Sequence, residues 1–109
     1  MSDCIFCKIV KGELPSTKYY EDDRVIAFAD IDPKAPVHIL LAPKQHIPTM
    51  HDVKDFTIVA DIHKAAQIVA EEQGIANGYR LINNCGADAG QIVFHLHYHL
   101  MGGEKLTSF

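Results

Sequence analysis

Three histidines recur at every second position in the run Val93-Phe-His95-Leu-His97-Tyr-His99-Leu-Met101. Imidazole serves near neutral pH as nucleophile, base or metal ligand. In an extended strand, alternate residues share a face with Cα atoms about 6.5 to 7 Å apart, so this spacing aims three rings into one small volume. A helix would turn His97 about 200° from His95, and the β-forming Val93, Phe94 and Tyr98 favour a strand. Phe94, Leu96, Tyr98 and Leu100 then form an opposite apolar stripe suited to packing under a helix. Two chemistries fit the polar face. Neutral imidazoles can chelate a catalytic metal with an open position for water; alternatively, one attacks phosphorus while the others orient it and hold charge on the phosphoryl oxygens. The ordinary alternative is a strand that merely contains histidine, and three in register, with His38 as a fourth, argue against it. The neighbouring Gly86-Ala-Asp-Ala-Gly90-Gln91 lets backbone N–H groups approach an anion, although hairpin turns use the same residues.

Cys4 and Cys7 form a second group. Two cysteines separated by two residues are the usual first half of a tetrahedral zinc site. His46 is one candidate to complete it, and His51 is attractive on spacing alone. Two reduced, buried cysteines are the competing reading. No strand-to-helix context of the thioredoxin kind precedes the pair, which argues against a redox role. Cys85 reads as a plain thiol.

The elements that must position these groups follow from punctuation and periodicity. Lys8 to Gly12 reads as a short helical turn, broken by Gly12-Glu-Leu-Pro15. Tyr19-Tyr20 and Val25–Phe28 read as strands around a charged turn at Glu21–Arg24. A two-proline loop, Asp30 to Pro36, precedes a strand over Val37–Ala42. From about Val53 to Gln73, Phe56, Val59, Ala60, His63, Ala66, Ile68, Val69 and Ala70 keep mostly helical spacing, with Gly74 as the stop. Tyr79–Ile82 reads as a strand before the histidine run. This order predicts an α+β domain: an antiparallel sheet of about five strands, covered by one long helix plus a short N-terminal helix.

With 109 residues, the chain reads as one domain over 1–109. A hydrophobic content of 48% and a charged content of 22% fit an ordinary globular protein. The net charge of −4, without a Lys/Arg-rich run, argues against a nucleic-acid polymer as partner but leaves small nucleotides open. Three cysteines, an odd number, argue against a disulfide framework. The start Met-Ser-Asp-Cys has no signal-peptide character and no apolar run is long enough to span a membrane, so a cytoplasmic protein is expected.

The string His95-Leu-His97-Tyr-His99-Leu-Met101 resembles the signature of the histidine-triad nucleotide-binding family. So do Cys4-Ile-Phe-Cys-Lys-Ile9, Tyr20-Glu-Asp-Asp-Arg24, Asp30-Ile-Asp-Pro-Lys-Ala-Pro-Val-His38, Ala42-Pro-Lys-Gln-His-Ile47 and Gly90-Gln-Ile-Val-Phe94, in matching order over nearly the whole chain. The length resembles the Hint-like branch, and the cysteine pair resembles its zinc-containing subgroup. The resemblance implies hydrolysis of the P–N bond of purine nucleoside 5′-phosphoramidates, with AMP or GMP conjugates as partners and a covalent nucleotidyl-histidine intermediate. Hydrolysis of dinucleoside polyphosphates, or a nucleotide-binding regulatory module with incidental catalysis, are the alternatives it leaves.

By the same resemblance His97 is the nucleophile, with His99, His38, Asn84, Gly90 and Gln91 in the catalytic group. Asp30 would take the ribose hydroxyls, and Ile5, Phe6, Ile9, Phe28, Ile31 and Leu40 would form an apolar slot for the base. A structural zinc would be held by Cys4, Cys7, His46 and His95, with no organic cofactor. A homodimer is implied whose sheets join, with the long helix and the Tyr79 to Asn83 strand as candidate surfaces. Three positions depart from the pattern. Ile92 stands where many relatives have Ser or Thr, which predicts slower turnover. Ala29 replaces a histidine, and Lys105-Leu-Thr-Ser-Phe109 lacks a Trp-Pro-Pro-Gly-like ending.

Overall fold

The computed structural model describes residues 4–107; Met1–Asp3, Ser108 and Phe109 lie outside the described residues, and with them part of the chain-start and chain-end readings. The first helix, α1 (Ile5–Val10), starts three residues earlier than its spacing suggests. The cause is a cap: Cys4 Sγ accepts the Cys7 backbone N–H at 3.2 Å, satisfying a donor that the first helical turn leaves open. Gly12 then adopts φ +78° and ends the turn.

Strands β1 (Lys18–Glu21), β2 (Val25–Ala29), β3 (Val37–Pro43), β4 (Tyr79–Ile82) and β5 (Tyr98–Gly102) form one sheet in the order β1-β2-β3-β5-β4, with every neighbour antiparallel. The charged β1–β2 turn closes on Asp22, whose Oδ1 accepts the Arg24 and Val25 N–H groups at 2.8 Å each. Helix α2 (Thr57–Glu72) lies between β3 and β4 in sequence and covers one face. That face carries Val25, Ala27, Ile39, Leu41, Tyr98 and Leu100, with Leu96 from the segment before β5. The opposite face carries Ile26, Phe28, Leu40 and Ala42 against Phe6 and Ile9 of α1. β2 is therefore covered on both sides, which is why Val25-Ile-Ala-Phe28 is an unbroken apolar run instead of an alternating one.

Two expectations need correction. The long helix departs from the expected face in its first half, where Ile58 and Ile62 are buried and Phe56, Ala60 and His63 are exposed, and at the exposed Ile68; Ala66, Val69 and Ala70 are buried as expected. The histidine strand is also shorter, since β5 begins only at Tyr98. Before it, the backbone spends its groups elsewhere: Leu96 N–H donates to Ile47 O at 2.6 Å, and Asn83 Nδ2 donates to His97 O at 2.9 Å. The facing alternation survives without the ladder. Leu96, Tyr98 and Leu100 are buried beneath α2 as expected, but Phe94 is 45% exposed and leaves the stripe. Among the described residues, no helix is long and apolar enough to cross a membrane.

Candidate active site

The three histidines do not share one chamber. His95 turns toward the cysteine pair, while His97 and His99 line a cavity of about 1030 Å³ between α1, the end of β2 and the Asn84–Val93 loop. Sheet register explains the pairing of His99 with His38: His99 stands opposite Leu40 on β3, so His38, two residues away on the same face, is its diagonal neighbour. Their rings are 5.1 Å apart and His38 Nε2 lies 2.9 Å from His99 Nδ1. Asp30 follows β2 beside them, its backbone N–H donating to His38 O at 3.1 Å.

Hydrogen-bond partners assign the protons on these rings. His97 Nδ1 sits 2.7 Å from His95 O, an acceptor only, so Nδ1 carries the proton and Nε2 keeps a free lone pair. Lys34 N–H donates to His38 Nδ1 at 2.9 Å, which puts the His38 proton on Nε2, facing His99 Nδ1. His99 is then an acceptor at Nδ1 and holds its proton on Nε2. Phe6 meets the His97 ring edge-to-face at 5.0 Å and fixes its plane from the α1 side.

Burial keeps these imidazoles neutral. It is the first cause lowering His97, against the opposing bond to His95 O and the Asp30 charge. Burial likewise lowers His38, with Asp30 opposing. His99 is pushed down to about 4, first by burial and then by repulsion from His97 and His38. An imidazole that is neutral at pH 7 is one that can attack.

Of the other expected site residues, Ile5, Phe6, Ile9, Phe28, Asp30, Ile31, Leu40, Asn84, Gly90 and Gln91 all line the cavity; His38 stands behind His99, outside the lining. Ile31 and Ile92 are almost fully exposed, at 101% and 88%, and form its rim. Leu14 to Thr17 and Lys34 line it too, and sequence reasoning did not single them out. In the loop expected to approach an anion, several N–H groups are spent within the loop itself. Ala89, Gly90 and Gln91 N–H groups turn inward onto Gly86 O, Ala87 O and Gly86 O at 3.2, 3.0 and 3.1 Å. Gln91 is itself a strut: its Oε1 accepts Gly86 N–H, and its Nε2 donates to Pro48 O and Val93 O at 2.8 and 3.0 Å. Gly90 adopts φ +97°, a left-handed conformation that side chains rarely take.

Behind the cavity wall, Cys4, Cys7, His46 and His95 bring one ligand atom each within 4.8 Å of one another. Cys4 Sγ is 3.2 Å and Cys7 Sγ 3.5 Å from His95 Nδ1, and Cys7 Sγ is 3.4 Å from His46 Nδ1. The S···N edges of a tetrahedral zinc site are about 3.5 Å, given bonds of about 2.3 Å to sulfur and about 2.0 Å to nitrogen, so the four atoms fit such an ion. His95 Nε2 donates to Pro43 O at 2.8 Å, which turns the lone pair of Nδ1 toward the sulfurs. Burial first, then the neighbouring Cys4, pushes the Cys7 thiol up; a bound cation reverses that by favouring thiolate. His51 is exposed in the 3-10 turn Met50–Asp52 and is no part of this cluster, so its spacing was misleading.

A half-buried imidazole pair lining a cavity, backed by a metal-type donor set on an antiparallel sheet, defines a class of small α+β proteins. Sequence comparison assigns the family: the HIT domain model matches residues 11–106, and the chain belongs to the HIT family. It is 48% identical over 108 residues to the purine nucleoside phosphoramidase of Escherichia coli K12, covering 95% of this chain and 90% of that protein. A HIT family hydrolase from Clostridium thermocellum superposes with a TM-score of 0.97 at 58% identity, covering 100% of this chain and 97% of that one. A histidine triad protein from Clostridium difficile gives 0.96 at 53% identity, with the same coverage.

Proposed function

We propose that this protein hydrolyses purine nucleoside 5′-phosphoramidates. One observation carries the reading: His97 lines the cavity with Nδ1–H tied to a carbonyl and Nε2 free. In the proposed reaction Nε2 attacks the α-phosphorus, the P–N bond breaks, and the nitrogen takes a proton from solvent water and leaves as the amine. Water then attacks the nucleotidyl-imidazole, the bond from phosphorus to Nε2 breaks, and the nucleoside monophosphate leaves. His99 donates its Nε2–H to the phosphoryl group, with Asn84 as a second polar partner. The Gly90 turn shapes the loop beside them, and Gln91 holds it. Ile5, Phe6, Ile9, Phe28, Ile31 and Leu40 grip the base, with Phe6 and Phe28 edge-to-face at 5.2 Å. Apolar walls hold a flat purine without strongly reading its edge, so adenosine and guanosine conjugates both fit. Asp30 takes the ribose hydroxyls.

Cys4, Cys7, His46 and His95 would hold a structural zinc, whose part is to bind the N-terminal segment to the histidine segment. A homodimer joined through β4, one of the two edge strands of the sheet, fits the exposure of Tyr79 on that strand and of Ile68 on α2. The free thiols of Cys4, Cys7 and Cys85 suit a reducing, cytoplasmic setting.

Against dinucleoside polyphosphates stands the charge of the cavity. Among the described residues that line it, Lys34 is the one Lys or Arg, and its Nζ already lies 2.8 Å from Asp32, so a polyphosphate chain would meet a single, partly neutralised cation. Purified protein should release AMP from adenosine 5′-phosphoramidate faster than from a diadenosine polyphosphate. The reverse order would move the assignment to the polyphosphates, and tight AMP binding with no turnover of either would make the protein a regulatory binding module.

A further inference from the structure

Asp30 lines the cavity and stands beside the His38–His99 pair. Its carboxylate is only 17% exposed, and both oxygens already face protein groups. Oδ1 accepts the Asp32 backbone N–H at 2.8 Å; Oδ2 lies 3.3 Å from His38 Nε2 and 3.9 Å from His99 Nδ1. The His38 proton sits on Nε2, because Lys34 N–H occupies the Nδ1 lone pair; it meets His99 Nδ1 at 2.9 Å, and Asp30 Oδ2 stands 3.3 Å from the same nitrogen. The side chain of His38 is 3% exposed, so solvent cannot replace either acceptor.

We propose that Asp30, besides any contact with ribose, is a positioning residue that fixes the order of protons along Lys34 N–H, His38 and His99. The inference rests on the reading that the His99 Nε2–H assists the reaction. The carboxylate is needed because both of its oxygens accept. An amide at this position gives its oxygen to Asp32 N–H and turns its NH2 group toward His38 Nε2–H, setting donor against donor. The His38 ring then moves off His99, whose proton is free to occupy Nδ1 instead.

The same proton order argues against a second metal. Asp30, His38 and His99 hold ligand atoms within 4.8 Å of one another, as a two-histidine, one-carboxylate metal site would. A metal at His38 Nε2 would require the proton to move to Nδ1, directly against Lys34 N–H.

The test joins imidazole nitrogen NMR with two substrates. In the nucleotide-free protein, His99 should show a protonated Nε2 and a bare Nδ1, and Asp30→Asn should populate the other tautomer. Turnover is measured on adenosine 5′-phosphoramidate and on its 2′,3′-dideoxy analogue, which offers no hydroxyl to Asp30. The inference predicts that kcat of Asp30→Asn falls about tenfold or more on both substrates. An Asp30→Asn variant that matches wild type on the dideoxy substrate, or a wild-type His99 protonated at Nδ1, overturns it. Wild-type protein that turns over neither substrate refutes the proposed reaction instead, and the tautomer measurement, which needs neither substrate nor a folded variant, still decides the proton order.

Discussion

Acid should unfold this protein through His99 in a way that one substitution reveals. In the folded state its pKa is pushed from 6.5 down to about 4, by burial first and by His97 and His38 next. Above pH 6.5 neither the folded nor the unfolded state carries a proton there, so His99 costs no stability. As pH falls from 6.5 toward about 4, the unfolded chain binds a proton that the folded ring refuses, and stability is lost. At about 1.4 kcal/mol per pH unit, the loss is about 3 kcal/mol, complete once pH falls below the folded value. The His99 side chain is 21% exposed, so solvent screens little of this. Repulsion between imidazoles acts on both partners, so the difference between wild type and a His99 variant reports His99 together with its coupling to His97 and His38. Urea unfolding of wild type and His99→Gln at matched pH steps from about 7.5 to about 4 isolates the effect. Any acid release of a bound metal is common to both proteins and cancels in the comparison. Wild type should lose about 3 kcal/mol more than the variant across that window; parallel profiles would refute the reasoning.

Metal content after purification should be one zinc per chain and should vanish in Cys7→Ala; chelation should lower stability by several kcal/mol, read as a fall in Tm. Unchanged Tm on chelation would speak against a metal there. Gly102→Ala brings a Cβ to 2.9 Å from Ile75 Cδ1 and 3.2 Å from the Gly78 carbonyl oxygen, and the backbone atom cannot swing aside. It should cost about 1–3 kcal/mol in urea unfolding. Ile92 is 88% exposed at the rim, so Ile92→Ser should leave stability within about 0.5 kcal/mol while raising the single-turnover rate on adenosine 5′-phosphoramidate; no gain in rate would count against a missing hydroxyl as the cause of slow turnover.

Much of the site was legible because side-chain alternation depends on the local backbone alone. His97 and His99 face the cavity, and Leu96, Tyr98 and Leu100 face α2, even though β-pairing reaches only as far back as Tyr98. What local pattern could not supply was the partner of each group. The ligand atoms that complete the Cys4–Cys7 cluster come from positions 39 and 88 residues beyond Cys7, a distance that no spacing rule spans, and nearby His51 was the plausible wrong choice. The helix face was misjudged only over its first half, for a similar reason. Phe56, Ala60 and His63 compete with Ile58 and Ile62 for the buried stripe, and only the sheet beneath decides between them. The Gly86–Gly90 loop reads as open to anions because glycine permits close approach; local pattern did not show that its Ala89 and Gly90 N–H groups close a turn on Gly86 O and Ala87 O. Asn83, which holds His97 O, was passed over for Asn84; the register that turns it toward His97 belongs to the β4–β5 pair, with Ile82 opposite His99.

The account turns on His97 as the atom that takes the nucleotide. Wild-type protein mixed with adenosine 5′-phosphoramidate, quenched in denaturant within the first turnover and mapped by peptide mass, should carry one adenylyl group on His97. Folded His97→Ala should carry none and release no AMP. An adenylyl group on another residue, or AMP released by the His97→Ala variant at the wild-type rate, would contradict it.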